Sequence, residues 1–198
     1  MPRPSSREEV IAAAQDQFHR RGYHASGVKD ITDAAGLPKG SFYNYFSSKE
    51  EMALETLRRY GQERQLHQLT DPTVPPLRRV REHFQSFRAA LMDFGVEYGC
   101  MFGNFAIEIS EHSPALRAFV AEAMDQWIVA LTATLREAVD VGELPAGRDV
   151  DLLARTLVRA WQGALLHARV LTDPSPLDDF FPGTLDPAIG TAATTSQP

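Results

Sequence analysis

From residue 6 to residue 171 the apolar side chains of this chain recur three and four positions apart, and no stretch alternates as a half-buried strand would. A chain with that spacing buries its core by packing helix on helix, so the expected fold class is all-α. Val10, Ile11, Ala14 and Phe18 make the first stripe, which Arg20, Arg21 and Gly22 bring to an end. A second helix is expected from Val28 to Ala35, broken by Gly36-Leu37. Pro38 fits the first position of a short third helix reaching Asn44, and Ser47 or Ser48 caps a fourth running towards Leu69. After the break Asp71-Pro-Thr-Val-Pro-Pro, helices are expected near Leu77 to Gly95, Gly99 to Ser110, Ser113 to Val139 and Val150 to Leu171. Leu177 to Phe181 adds one turn, and residues 183–198, small and polar, are expected to be disordered.

Composition narrows the function. With 198 residues, 43% of them hydrophobic, the chain can bury a real core. No apolar run nears the roughly 20 residues of a membrane span, and Met1-Pro-Arg-Pro-Ser-Ser-Arg leads into no apolar segment. The expectation is a cytoplasmic protein with no membrane partner. A single cysteine, Cys100, excludes an intramolecular disulfide and a thiolate zinc cage. The six histidines are scattered, and Glu108, Glu111 and His112 read as a solvated helix end rather than metal ligands. With no nucleophile elbow and no glycine-rich phosphate cradle, no catalytic residue, metal or cofactor is expected, and the chain is not expected to be an enzyme. The net charge of -6 is uneven: residues 1–60 hold nine Lys/Arg against eight Asp/Glu, and all three lysines fall in the first fifty residues. That is the balance of a small phosphate-facing module joined to an acidic body.

A helix, a glycine-containing turn and a short helix form the helix-turn-helix pattern. The content of the short helix sharpens it. Lys39, Gly40, Ser41, Tyr43, Asn44 and Tyr45 supply a cation, a bare backbone, hydroxyls and an amide within two turns, while Phe42 and Phe46 face inward. Such groups suit phosphate and base-edge contacts in a major groove. Residues 28–50, Val-Lys-Asp-Ile-Thr-Asp-Ala-Ala-Gly-Leu-Pro-Lys-Gly-Ser-Phe-Tyr-Asn-Tyr-Phe-Ser-Ser-Lys-Glu, resemble the N-terminal signature of the TetR family of transcriptional regulators. The resemblance covers about residues 5–55 and implies DNA contact by Lys39, Gly40, Ser41, Tyr43 and Asn44. It implies flanking or phosphate contact by Tyr45, Lys29 and Lys49. Two positions depart from it: Gly27 stands where a Ser or Thr cap is common, and Thr32 where Ala is.

The resemblance also implies a plan for the rest of the chain: a helix-turn-helix domain over 1–47 and an effector-binding and dimerisation domain over 48–182. A homodimer would bind a palindromic double-stranded operator. Its bundle would come from helices near 114–141 and 150–171, where Ala160, Gly163, Ala164 and Ala168 lie beside Leu157, Trp161 and Leu165. These residues fit ordinary packing within one chain as well. The effector would meet an aromatic and methionine-rich set: Phe87, Leu91, Tyr98, Cys100, Met101, Phe105, Met124 and Trp127. The segment around Cys100 resembles regulators of detoxification genes, some of which sense electrophiles through a cysteine; a buried Cys that packs as a small hydrophobe is the other reading. The function so read is a ligand-responsive regulator, a repressor in the first instance, released by a small hydrophobic or electrophilic effector. The alternatives are a helical protein-interaction module and a small-molecule enzyme without DNA binding.

Overall fold

The computed structural model describes residues 6–63, 66–109 and 113–190. Every regular element among them is helical: α1 Ser6–Arg21, α2 Val28–Ala34, α3 Lys49–Gln62, α4 Pro76–Phe94, α5 Met101–Ile109, α6 Pro114–Asp140, α7 Val150–Leu171, α8 Ser175–Phe180 and α9 Asp186–Ile189. Shorter 3-10 segments cover Lys39–Asn44, Leu66–Thr70 and Val96–Tyr98. No described helix is long and apolar enough to cross a membrane. The chain forms two compact units, residues 1–64 with 100–123, and residues 65–99 with 124–198.

In the first unit α1 buries the stripe read from sequence, Val10, Ile11, Ala14 and Phe18. At α2 the two departures from the family pattern are both satisfied locally. The Asp30 carboxylate accepts the Gly27 N–H at 3.0 Å, which replaces a side-chain cap. The buried Thr32 hydroxyl donates to the carbonyls of Val28 and Lys29. Gly36, at φ +70, closes α2 as a Schellman turn: its N–H donates to the Asp33 carbonyl and that of Leu37 to Thr32. Pro38 is extended and caps the next segment rather than occupying its first position. The segment Lys39–Asn44 is a tight 3-10 helix, not an α-helix. The next helix is also shorter than the periodicity suggests. It ends at Gln62, just after Gly61, and Leu66–Thr70 forms a separate 3-10 turn.

The second unit is built on α4 and α7. Phe84 lies 5.3 Å from Trp161 and 4.9 Å from Phe180, ring to ring, at the centre of its core. Two buried polar groups pin the surroundings. Arg79, 3% exposed, donates to the Leu69 carbonyl at 2.7 Å and pairs with Glu137. Thr134 donates to the same carbonyl at 3.0 Å. On α7, Leu157, Trp161, Leu165 and Ala168 are buried within the chain, so they do not form an outward face. The outward face instead carries Arg159, Gly163, Leu166 and Val170, all exposed.

The expected disorder from residue 183 is corrected in part. A π-helical turn, Phe181–Leu185, and α9 continue the chain, with Leu185 and Ile189 buried. Pro182 lacks an N–H and crowds the preceding turn, which accounts for the wider coil. Asp186 pairs with Arg81, and Asp178 with Arg88, so the polar composition of this segment hides a packed face. The remainder of the expected tail, 191–198, lies outside the described residues.

Candidate nucleic-acid interface

The helix-turn-helix lies wholly in the first unit. Phe42 is fully buried and Phe46 nearly so, with rings 5.7 Å apart. These two anchors turn the rest of the 3-10 segment outward. Tyr43 is 63% exposed and touches the Phe42 ring edge-on. Lys39, Gly40 and Asn44 are exposed, and Ser41 and Tyr45 are half-buried. In a 3-10 helix residues three apart eclipse, so Gly40 and Tyr43 share an outward edge. A Cβ at Gly40 would meet nothing among the described residues, so their packing does not require glycine there.

The flanking lysines sit differently. Lys29 is exposed and paired with Asp33 one turn on, and that hydrogen bond raises its pKa. Lys49 is half-buried, its Nζ 4.3 Å from the centroid of the Tyr23 ring. Burial lowers its pKa, while the charges of Glu108 and Asp30 act the other way. Lys49 is thus tied to the turn after α1 as well as being available at the start of α3.

That start is a double cap. The Ser48 hydroxyl accepts the Glu51 N–H at 3.1 Å, and Ser47 donates its own N–H and hydroxyl to the Glu51 carboxylate at 2.7 and 2.6 Å. The two Ser47 bonds hold the Glu51 carboxyl below its usual range. The bonded form is the carboxylate. Its contribution is complete above the ordinary glutamate pKa and is lost as pH falls through the depressed one. An NMR titration of Glu51 is expected to show a low midpoint that Ser47→Ala moves back up.

The expected effector residues divide between the two units. Phe87, Leu91, Tyr98, Met124 and Trp127 belong to the second. There Phe87 lies 5.2 Å from Trp127, and the Trp127 indole N–H donates to His83 Nε2 at 2.8 Å. An indole nitrogen only donates, so His83 is neutral with its proton on Nδ1. Cys100, Met101 and Phe105 belong to the first unit. Cys100 is buried, and its carbonyl accepts the first hydrogen bond of α5, so it precedes that helix rather than lying in its first turn. The Tyr60 hydroxyl lies 3.9 Å from its Sγ. Phe105 is fully buried against Phe18 and Tyr23, each 5.6 Å away, in the core beneath the helix-turn-helix.

The sequence reads Glu108, with Glu111 and His112, as a solvated helix end; the last two lie outside the described residues, and Glu108 departs from that expectation. It is half-buried, and its carboxylate accepts the His24 N–H at 3.0 Å. Only Gly22, a glycine needing φ +85 where α1 ends, hinted that something lies close to that turn.

Comparison with known proteins agrees with this geometry. Residues 10–56 match the family model "Bacterial regulatory proteins, tetR family", and residues 76–183 match "Tetracyclin repressor-like, C-terminal domain". The chain is 35% identical to the HTH-type transcriptional repressor DhaR of a Mycobacterium species, over 91% of this chain and 90% of that one. It is 26% identical to the HTH-type transcriptional repressor NemR of Escherichia coli, over 88% and 89%. The crystal structure of a regulatory protein TetR from Rhodobacter sphaeroides superposes with a TM-score of 0.82 at 30% identity, over 92% of this chain and 96% of that one.

Proposed function

This chain belongs to the TetR family of bacterial regulatory proteins, and from that membership we propose that it is a cytoplasmic transcriptional repressor that binds a palindromic operator as a homodimer. The observation that carries the reading is the 3-10 segment: Tyr43 and Asn44 stand in solvent on a helix held from beneath by Phe42 and Phe46. Nothing in core packing asks for an exposed tyrosine beside a bare glycine. A groove of DNA does. In functional terms the DNA-reading helix-turn-helix is residues 1–47, and effector binding and dimerisation fall to 48–182 and the packed segment that follows.

The dimer is assigned to the outward faces of α6 and α7. Gly163 lies inside a helix, where glycine costs about 1 kcal/mol relative to alanine, yet a Cβ there would meet nothing among the described residues. Leu166 and Val170 beside it, and Val129 on α6, are more than half exposed. A second helix lying close against Gly163 explains all four.

The effector is assigned to the aromatic body of the second unit, where Phe87 and Trp127 pack; its apolar surroundings suit a small hydrophobic molecule. Reaction of an electrophile at Cys100 is the second reading, favoured by the Tyr60 hydroxyl beside the sulfur.

Selection from genomic fragments, followed by fluorescence anisotropy on the recovered duplex, tests the reading. Tight, salt-dependent binding is expected, and failure to enrich any duplex would overturn it. Lys49→Ala is expected to weaken binding to all sequences and lower the salt slope by about one charge. An unchanged slope would limit Lys49 to holding Tyr23. Adding N-ethylmaleimide separates the effector readings: release that Cys100→Ser abolishes supports the covalent one, and full release from Cys100→Ser sinks it.

A further inference from the structure

The helix-turn-helix of this protein is held from outside by a residue far along the chain. Gly22 ends α1 at φ +85, and a Cβ there would lie 2.0 Å from the Glu108 carboxylate, so the carboxylate occupies the space that glycine leaves. Glu108 Oε2 accepts the His24 N–H at 3.0 Å, and the Glu108 carbonyl accepts the His24 ring Nε2–H at 3.0 Å. Between Gly22 and His24 stands Tyr23. Its ring packs on Phe18 and on Phe105 of α5, and it receives the Lys49 ammonium on its face. The 22–24 turn is thus bound to α5 on one side and to the first residue of α3 on the other. Only four residues separate Lys49 from the recognition segment. From inside, the buried Ser26 hydroxyl donates to the carbonyls of Gly22 and Gln17 and fixes the entry to α2.

We propose that Glu108 is a positioning residue for DNA reading: from α5, within the C-terminal family region, it locks the 22–24 turn and so fixes the angle at which Lys39–Asn44 is presented. The proposal rests on the DNA-binding reading above. Glu108 itself need touch no DNA. Its side chain acts on register through the carboxylate's hydrogen bond to the His24 N–H and the space it fills beside Gly22, and so on Tyr23, which contacts Phe105 and Lys49. A residue that sets register serves specific binding, where side chains must meet base edges. It matters little to non-specific binding, which depends on phosphate charge alone.

The test uses the full-length protein and two duplexes, the one recovered by selection with wild-type protein and a scrambled version. Glu108→Ala is expected to weaken the selected duplex roughly tenfold, the scale of one lost charge-assisted hydrogen bond. Binding to the scrambled duplex is expected to stay within about twofold, with the salt slope unchanged, since no phosphate contact is lost. Glu108→Gln keeps an oxygen for the His24 N–H and is expected to recover most of the loss. Amide exchange at His24 gives a readout independent of DNA, and it is expected to speed up in Glu108→Ala while Phe18 stays protected. Equal weakening on both duplexes, or unchanged affinity for the selected one, would overturn the proposal. Should Glu108→Ala fold poorly, Glu108→Gln with unaltered His24 exchange and weakened specific binding would overturn it too. A wild-type protein that selects no duplex defeats the DNA-binding reading itself. One that does select, and whose Glu108→Ala variant binds as well, defeats this proposal alone.

Discussion

Replacing Tyr43 by alanine is expected to leave the protein folded and to remove sequence-specific DNA binding. The ring is 63% exposed and meets the rest of the chain at the Phe42 edge. Its loss should therefore cost about 1 kcal/mol of stability or less. Phe42 and Phe46, which hold the segment in place, are untouched. In the proposed interface the same ring would meet a base edge or phosphate, and such a contact is worth about 1–3 kcal/mol. A two-fold dimer loses it twice, so the affinity for a selected duplex should fall by two orders of magnitude or more on that scale. Circular dichroism and anisotropy on one preparation separate the two effects. A variant that melts normally and binds its duplex with wild-type affinity would remove this segment from the interface.

The second large effect is expected from charging the outward face of α7. Leu166 and Val170 are 54% and 74% exposed in the single chain, so Leu166→Glu with Val170→Glu should barely disturb its folding. In the proposed dimer the same positions meet a partner helix, where four carboxylates per interface would be desolvated and unpaired. Light scattering should then report a monomer at micromolar concentration, and affinity for a palindromic duplex should collapse while a half-site is still bound weakly. A double variant that keeps its dimer mass would move the interface elsewhere.

Much of this was legible in the residues. The bounds of α7, Val150–Leu171, were read from its strong apolar period and the break at Asp173-Pro-Ser-Pro, and the structure adds Asp149 as its cap. Phe42, in the short helix, and Phe46, just after it, could be named as anchors because they are large, apolar and four apart. Subtraction then leaves Lys39, Gly40, Ser41, Tyr43, Asn44 and Tyr45, of which Ser41 and Tyr45 turn out half-buried. Where a helix stops was harder to read. Lys49–Gln62 ends well before Leu69, just after Gly61 and at the change of unit, which no proline or turn cluster marks in the sequence. The segment after Asp173 was harder still: glycine, threonine and proline mask the few positions, Leu177, Phe180, Leu185 and Ile189, that meet the core.

Helix periods, and the chemistry of the DNA-reading segment, were legible in the sequence alone, because both are written within a few positions of one another; the 3-10 form of Lys39–Asn44 and the end of α3 were not. What only the tertiary structure decided is which distant residues share a unit. Phe105 packs on Phe18 and Tyr23 in one unit while Phe87 and Trp127 belong to the other, although the sequence puts Phe87, Phe105 and Trp127 in one aromatic set. Glu108, one carboxylate on an acidic body, becomes the clasp of a turn 84 positions away. Such pairings depend on the angle at which helices pack, which is set by the whole core at once and leaves no mark at either residue.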